Sequence, residues 1–346
     1  MARAEQEQHR LIDVTVVLLA DGLSSTSVMP AEIFHSAGAL WEALHGRPAT
    51  ARFRVRTASL DGRPVRNPFG ADVAPSCAID AIERTDIVVV PTSGLDFEPK
   101  LVENSALLPW LVRHHAAGAY VVGACMGSAY LAESGLLDGR IATTHWALAS
   151  TFAARYPRVQ WQPDRFVTED NRLLCSGGVY GAVDVSLYLV EKLCGHEVAL
   201  QCAKSLLLPM PRLHQNSYAM LPVAQEHDDA PIRAAEAYLH ANFRRDVSVA
   251  CLAGESGMAP RTFLRRFKAA TGRSPAAYAQ ALRIELAKQM LEREATPVAS
   301  ISASVGYDDI AFFRRLFRRA TGMAPAEYRA HFAPLAVRGH PVCEGA

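Results

Sequence analysis

Apolar positions follow two different periods along this chain, and the change of period divides it. In the first two-thirds, short apolar runs of strand length appear at Val14–Leu19, Ile87–Val90 and Tyr120–Val122. Such runs, with little polar alternation, are what strands buried on both faces require. Helix-like spacing fills residues 30–44, 101–115 and 127–133 between and after them. Strand and helix in alternation predict an α/β domain over residues 1–207, with a mostly parallel sheet flanked by helices.

Beyond residue 230 the pattern is helical throughout. Asp228 and Asp229 precede Pro231, a capping residue followed by a first-turn proline, and Ile232, Ala235, Tyr238 and Leu239 continue as an apolar stripe. A repeat follows at an offset of 50 residues: Phe263, Arg265, Phe267, Ala270, Thr271, Gly272, Pro275, Ala276 and Tyr278 recur as Phe313, Arg315, Phe317, Ala320, Thr321, Gly322, Pro325, Ala326 and Tyr328. Upstream of each copy stand a short helical stretch and a glycine, 249–256 with Gly257 and 298–305 with Gly306. Short helix, glycine turn, second helix is the helix-turn-helix, whose second helix enters the DNA major groove. The C-terminal domain, residues 231–332, is therefore expected to be all-α with two such units.

The i,i+4 phenylalanines of each second helix should pack inward. This leaves Arg261, Leu264, Arg265 and Lys268 facing outward in the first unit, and Ile310, Ala311, Arg314, Arg315 and Arg318 in the second. An arginine fork pairs with guanine O6 and N7 or with phosphate; taken singly, each arginine has the competing reading of a solvated helix face. A helix over about 275–292, capped at Ser274-Pro275, should join the units rigidly, so that one chain can read two successive grooves. Residues 208–230, with prolines at 209, 211 and 222, read as a linker, and 333–346 as a tail.

Charge supports this division. The chain has 346 residues and a net charge of +1, but residues 231–332 hold 16 Lys and Arg against 9 Asp and Glu, a net of +7, and the remainder is at −6. A basic module joined to a mildly acidic one suits separate nucleic-acid and ligand duties.

The strings GMAPRTFLRRFKAATGRSPAAYAQALRIELAKQML and VGYDDIAFFRRLFRRATGMAPAEYR resemble the AraC-type regulator domain over about 100 residues. The resemblance implies base contacts from Arg261, Leu264 and Arg265 and from Ile310, Ala311, Phe312 and Arg315, with double-stranded operator DNA as partner. One departure is Ala259, where that family commonly has a serine cap; losing it costs about 1 kcal/mol.

In the front domain the sharpest motif is YVVGACMGSAYLAESGLLDGR: a strand, a cysteine among small residues, then a helix, as in a nucleophile elbow. A sulfur at a helix N-terminus is expected to have a lowered pKa. A buried cysteine at a tight turn is the competing reading. The motif resembles the DJ-1/PfpI group of the class-I glutamine-amidotransferase-like fold, as do LLDGRIATTHWAL, with His145 twenty residues after Cys125, LLCSGGVYGAVDVSLYLVEKLCG and PAEIFHSAGAL. With the C-terminal module, the whole chain resembles the GlxA-like subgroup of AraC regulators. The resemblance implies a catalytic acid in the loop before the first helix. Here that loop is GLSSTSVMP, and Thr26 or Ser27 takes the expected place, with Glu32 inside the helix. The expectation is a small-molecule effector pocket around Cys125, His145, Thr26 and Ser27 rather than an enzyme; a cysteine-dependent amidase or lyase tethered to DNA is the alternative. The front domain's resemblance also implies a homodimer.

Seven cysteines, with no CxxC or Cys/His spacing, point to no metal site and a reducing compartment. No cofactor is expected. No apolar run approaches the ~20 residues of a membrane span, and the polar start MARAEQEQHR reads as cytoplasmic rather than secreted.

Overall fold

The computed structural model describes residues 10–94, 96–212, 215, 218 and 227–334. Two compact units divide the chain between Gln215 and Asn216. In the front unit the elements run β1 (Ile12–Val17), α1 (Ser25–Ser36), α2 (Leu40–Leu44), β2 (Phe53–Ser59), β3 (Val65–Arg66), β4 (Asp72–Val73), β5 (Cys77–Ala78), β6 (Ile87–Val90), α3 (Phe97–Glu103), α4 (Leu107–Ala116), β7 (Tyr120–Ala124), α5 (Ser128–Glu133), β8 (Ile141–Ala142), α6 (Ala149–Arg155), β9 (Gln160–Trp161), β10 (Val167–Asp170), β11 (Leu173–Ser176), α7 (Gly181–Cys194) and α8 (His196–Ser205).

Seven strands form one sheet in the order β10-β11-β7-β6-β1-β2-β5, parallel except for the β10–β11 pair. Val14, Val16, Ile87, Val89 and Val122 pack with Ile33 and Phe34 of α1 and with α7 and α8 on one face. Val17, Val88, Val90 and Val121 pack with α3, α4, α5 and Phe152 of α6 on the other. Both faces are covered, which is why the strands read as apolar runs. Strand order runs one way from β1 to β2 and the other way through β6 and β7. The carboxyl ends of β1 and β6 therefore flank a topological switch point, where doubly wound sheets place ligands.

Three sequence expectations change. The helix expected over 30–44 begins five residues earlier and breaks into α1 and α2. The hydroxyls of Thr26 and Ser27 donate to the carbonyls of Leu23 and Ser24 at 2.7 and 3.0 Å, building a first turn ahead of Pro30. The helix expected over 101–115 is likewise two, α3 and α4. The front unit also runs past the expected boundary at 207: Leu208 N–H donates to Ala203 O, and Leu208 and Met210 pack on the α7–α8 face. Of the expected linker, 213, 214, 216, 217 and 219–226 lie outside the described residues, as does the tail from 335.

The second unit is helical: α9 (Ala230–Ala241), α10 (Val249–Glu255), α11 (Pro260–Thr271), α12 (Pro275–Arg293), α13 (Val298–Ser304), α14 (Ile310–Thr321) and α15 (Pro325–Phe332). Two small cores form. One gathers Ile232, Leu239, Leu252, Phe263, Phe267 and Tyr278; the other gathers Ile284, Leu291, Ile301, Phe313, Phe317 and Tyr328. α12 serves both, through Tyr278 at its start and Ile284, Ala287 and Leu291 further on. At 1.5 Å per residue its 19 residues span roughly 28 Å. The repeat is now explained. Phe267 meets Tyr278 edge-on at 5.6 Å, and Phe317 meets Tyr328 at 5.4 Å. Thr271 and Thr321 donate to the carbonyls of Phe267 and Phe317, and Gly272 and Gly322 end the helices at φ 71 and 80. A left-handed C-cap of this kind favours glycine.

Candidate nucleic-acid interface and elbow site

α11 and α14 each bury one stripe and expose the other. On α11, Phe263 and Phe267 are fully buried while Arg261, Leu264, Arg265 and Lys268 are exposed. On α14, Phe313, Leu316 and Phe317 are buried while Ala311, Phe312, Arg314, Arg315 and Arg318 are exposed and Ile310 is half-buried. Phe312 shows 44% of its surface, and the Arg315 guanidinium lies 6.0 Å from its ring centroid. An apolar ring beside a cation on a reading helix can meet a thymine methyl as well as a phosphate. Arg319 is exposed on the same helix and was absent from the sequence-based set.

Not every cation of the basic third is free for DNA. Arg266 makes paired hydrogen bonds to Asp229 at 2.9 and 2.8 Å. Arg283 is buried and donates to Phe243 O, Arg245 O and Asp246 Oδ1. Lys288 is buried against Glu285. Arg283 and Lys288 are already cancelled within the net of +7 by Asp246 and Glu285, whereas Arg266 is paired with an acid outside that range.

In the front unit, Cys125 stands between β7 and α5 at φ 55, left-handed for a non-glycine residue. Such a residue persists only where its surroundings enforce it. The surroundings do: a Cβ on Gly127 would lie 2.2 Å from Val90 O, and one on Gly123 would lie 2.7 Å from Ser128 N. The elbow is formed, and its thiol is covered. Cys125 is 2% exposed, and burial pushes its pKa up. The Thr92 hydroxyl and the N–H groups of Met126 and Gly178 pull the other way without reversing the direction. The expected lowering by the helix N-terminus is thus overridden by desolvation.

Thr26 is fully buried and belongs to this site. Its Oγ1 accepts from Thr92 N at 3.1 Å, and Thr92 Oγ1 donates to Ala124 O at 3.2 Å beside Cys125. The same hydroxyl donates to Leu23 O. His145 is half-buried, and burial lowers its pKa. Its Nδ1 accepts from Ala147 N at 3.1 Å, so the neutral ring carries its proton on Nε2 and offers a donor, not a base. Gly178 links the two: its backbone pulls the Cys125 pKa down, and its Cβ direction meets His145 Cδ2 at 3.9 Å.

Ser27 donates to Ser24 O and meets this arrangement only at its edge. It lines a small crevice with Leu18, Gly22, Pro91 and Thr92 at the switch point, and a cavity of about 370 Å³ with Val28, Glu32, His35, Val55 and Val73. Thr92 and Gly178 escaped the sequence reading; the only signals were the position of Thr92 after an apolar strand and the Gly177-Gly178 pair. Among the described residues there is no cluster suited to a metal ion and no helix long and apolar enough to cross a membrane.

The DJ-1/PfpI family profile matches residues 15–192, and a helix-turn-helix domain profile matches 252–331. The HTH-type transcriptional regulator CdhR of Pseudomonas aeruginosa is 26% identical over 280 residues, covering 80% of this chain and 82% of that one. The isonitrile hydratase of Pseudomonas putida is 32% identical over 176 residues, covering 50% of this chain and 73% of the enzyme. A crystal structure of a transcriptional-regulator protein from Vibrio parahaemolyticus superposes on 57% of this chain and all of that one, with a TM-score of 0.51 and 21% identity, a likeness of fold. The chain therefore belongs to the DJ-1/PfpI family and, through its double helix-turn-helix, is a DNA-binding transcriptional regulator of the AraC type.

Proposed function

We propose that the front domain has given up catalysis and senses a small-molecule effector that controls DNA binding by the C-terminal domain. The observation that carries this is the chemistry around Cys125: a buried thiol with a raised pKa, a threonine where an acid would stand, and a histidine that presents a donor. A cysteine nucleophile needs a thiolate and a base, and neither is provided. What the site offers is hydrogen-bond donors at its rim, which suits an effector carrying acceptor oxygens. The ligand would act by binding one conformation better than another.

Arg261, Leu264, Arg265 and Lys268 of α11 and Ile310, Ala311, Phe312, Arg314, Arg315 and Arg318 of α14 are the proposed reading surface, with Arg319 added. The protein would work as a cytoplasmic homodimer formed through the front domain. A thermal-shift screen of small carboxylates and amides against the full chain tests the effector reading; turnover of an isonitrile or amide that disappears in Cys125→Ala would overturn it. Operator affinity should fall steeply with salt as phosphate contacts release counterions. A salt-independent affinity contradicts the proposed surface. Sedimentation of the full chain as a monomer at tens of micromolar contradicts the dimer.

A further inference from the structure

Gln215, the last residue of the front unit, is a polar side chain at 1% exposure. Its Nε2 donates to Thr144 O at 2.9 Å and Arg165 O at 3.1 Å and lies 3.3 Å from Thr143 Oγ1. Its backbone N–H donates to Asp164 O at 2.9 Å. The amide lies against Gly177 so closely that a Cβ there would stand 2.4 Å from Nε2. One side chain thus ties together the loops at 143–145, 164–166 and 176–178.

Two of those loops are the walls of the elbow. Thr144 Oγ1 donates to Cys125 O at 3.4 Å, and Thr144 is followed by His145. Gly177 is followed by Gly178, whose backbone pulls the Cys125 pKa down against the effect of burial and which adjoins His145. Arg212, three residues before Gln215, is clamped as well. Arg212 donates from its backbone N–H and its Nη2 to Asp184, each at 2.7 Å, and its guanidinium lies 4.2 Å over the Phe166 ring. Asp184 is buried in the first turn of α7, the helix that the Gly177-Gly178 loop enters.

We propose that Gln215 and Arg212 form a latch, holding the end of the front unit against the loops that wall the elbow, so that displacement of those loops releases it. The inference rests on reading the elbow as the effector site. The contacts suit a reversible device. They are hydrogen bonds, one ion pair and the Arg212–Phe166 ring contact, so water can satisfy the polar groups once they are uncovered, whereas apolar packing of the same stretch would be lost only by exposing it. They are also geometrically strict: an amide wedged among two carbonyls, a hydroxyl and a glycine loses its partners if Thr144 or Gly177 shifts by a fraction of an ångström.

The test needs no effector. In the full chain, trypsin cleavage after Arg212 reports release, and iodoacetamide labelling of Cys125, mapped by mass spectrometry, reports the elbow. Gln215→Ala, and Gln215→Glu as a second variant that sets an acceptor against the same carbonyls, should each raise both rates at least about fivefold, the change expected for losing one net hydrogen bond. Cleavage after Arg54, which pairs with Asp13 far along the sheet, should be unchanged. Conversely, wild type alkylated at Cys125 should be cut faster after Arg212 than alkylated Cys125→Ser. If Gln215→Ala frees Arg212 but leaves Cys125 labelling unchanged, or if Arg54 cleavage rises in parallel, the latch is refuted. Failure to find any effector would leave these rates, and the latch, standing; an effector whose binding leaves Arg212 cleavage unchanged would remove the latch and leave the sensing role.

Discussion

Ala259 stands where Asp309 stands 50 residues later, and the two recognition helices differ in how they begin. Asp309 takes φ −87, ψ 101, and its Oδ1 accepts from Ala311 N at 2.8 Å and Phe312 N at 3.0 Å. Ala259 takes φ −65, ψ 142, an N-cap conformation with no cap. Pro260 at the first helical position removes one orphan donor, and Phe263 N bonds Ala259 O at 3.0 Å. The N–H groups of Arg261 and Thr262 are left without the side-chain acceptor that their counterparts have. Ala259→Ser places a hydroxyl oxygen within reach of them, at an exposed position where no packing is disturbed. The expected gain is about 1 kcal/mol, within a usual range of roughly 0.5–2. Because the chain has two units, a single global unfolding energy is the wrong measure. Amide exchange over residues 261–267 in the full chain without DNA should slow about fivefold, the factor that corresponds to about 1 kcal/mol of local opening. Asp309→Ala should do the reverse at Ala311 and Phe312. Unchanged or faster exchange over 261–267 in Ala259→Ser would show that the uncapped start is not a weak point.

Other outcomes follow from the same geometry. Arg265→Ala and Arg315→Ala should each cost about 1–3 kcal/mol at a specific operator and relax specificity at different base pairs; a uniform loss across all sequences, read by competition binding, would make them phosphate contacts only. Gly127→Ala forces a Cβ to 2.2 Å from Val90 O and should destabilise the front unit by about 2 kcal/mol or more, seen as a lower denaturation midpoint. Asp229 is held below the usual carboxylate range by its hydrogen bonds to Arg266, so its contribution is present above about pH 4, its unfolded value, and is lost as pH falls through the lower folded value; Asp229→Asn should flatten that acid loss of helicity in the second unit. At limiting iodoacetamide, Cys251, exposed on α10, should label before Cys125; the reverse order would mean that the elbow opens readily.

What the sequence discloses depends on which force placed each residue. The nine repeated residues are legible because nearly all serve the fold: paired phenylalanines, the threonine that closes the helix end, the left-handed glycine, the proline that starts the next helix and the tyrosine that closes the core. Arg265 and Arg315 are the charged exception. The positions that differ between copies, such as Lys268 against Arg318 and Leu264 against Arg314, lie on the exposed stripe, where no packing demands identity and two different base sequences can be read. The α/β alternation was equally plain, because strands covered on both faces must be apolar. β2 is not legible because FRVRTAS mixes arginines with apolar residues; Arg54 pairs with Asp13 on the neighbouring strand.

Polar burial is where such reading fails. Cys125 could be placed at a helix start from its neighbours, yet the sign of its pKa shift depends on how much protein covers the sulfur, which no local pattern encodes. Thr26 and Ser27 are adjacent and alike in the sequence, yet Thr26 accepts from Thr92 N, whereas Ser27 donates to Ser24 O and lines the crevice beside Thr92. Gln215 lies in a proline-rich polar stretch that gave every sign of a linker, and its burial against Gly177 is a tertiary fact. The residues that build each domain are thus apolar or conformationally special and stand out, whereas those that would carry a signal between domains are polar and ordinary. A latch of hydrogen bonds has to be of the second kind: an apolar plug strong enough to be visible in the pattern would also be too costly to open by the differential binding of one small ligand.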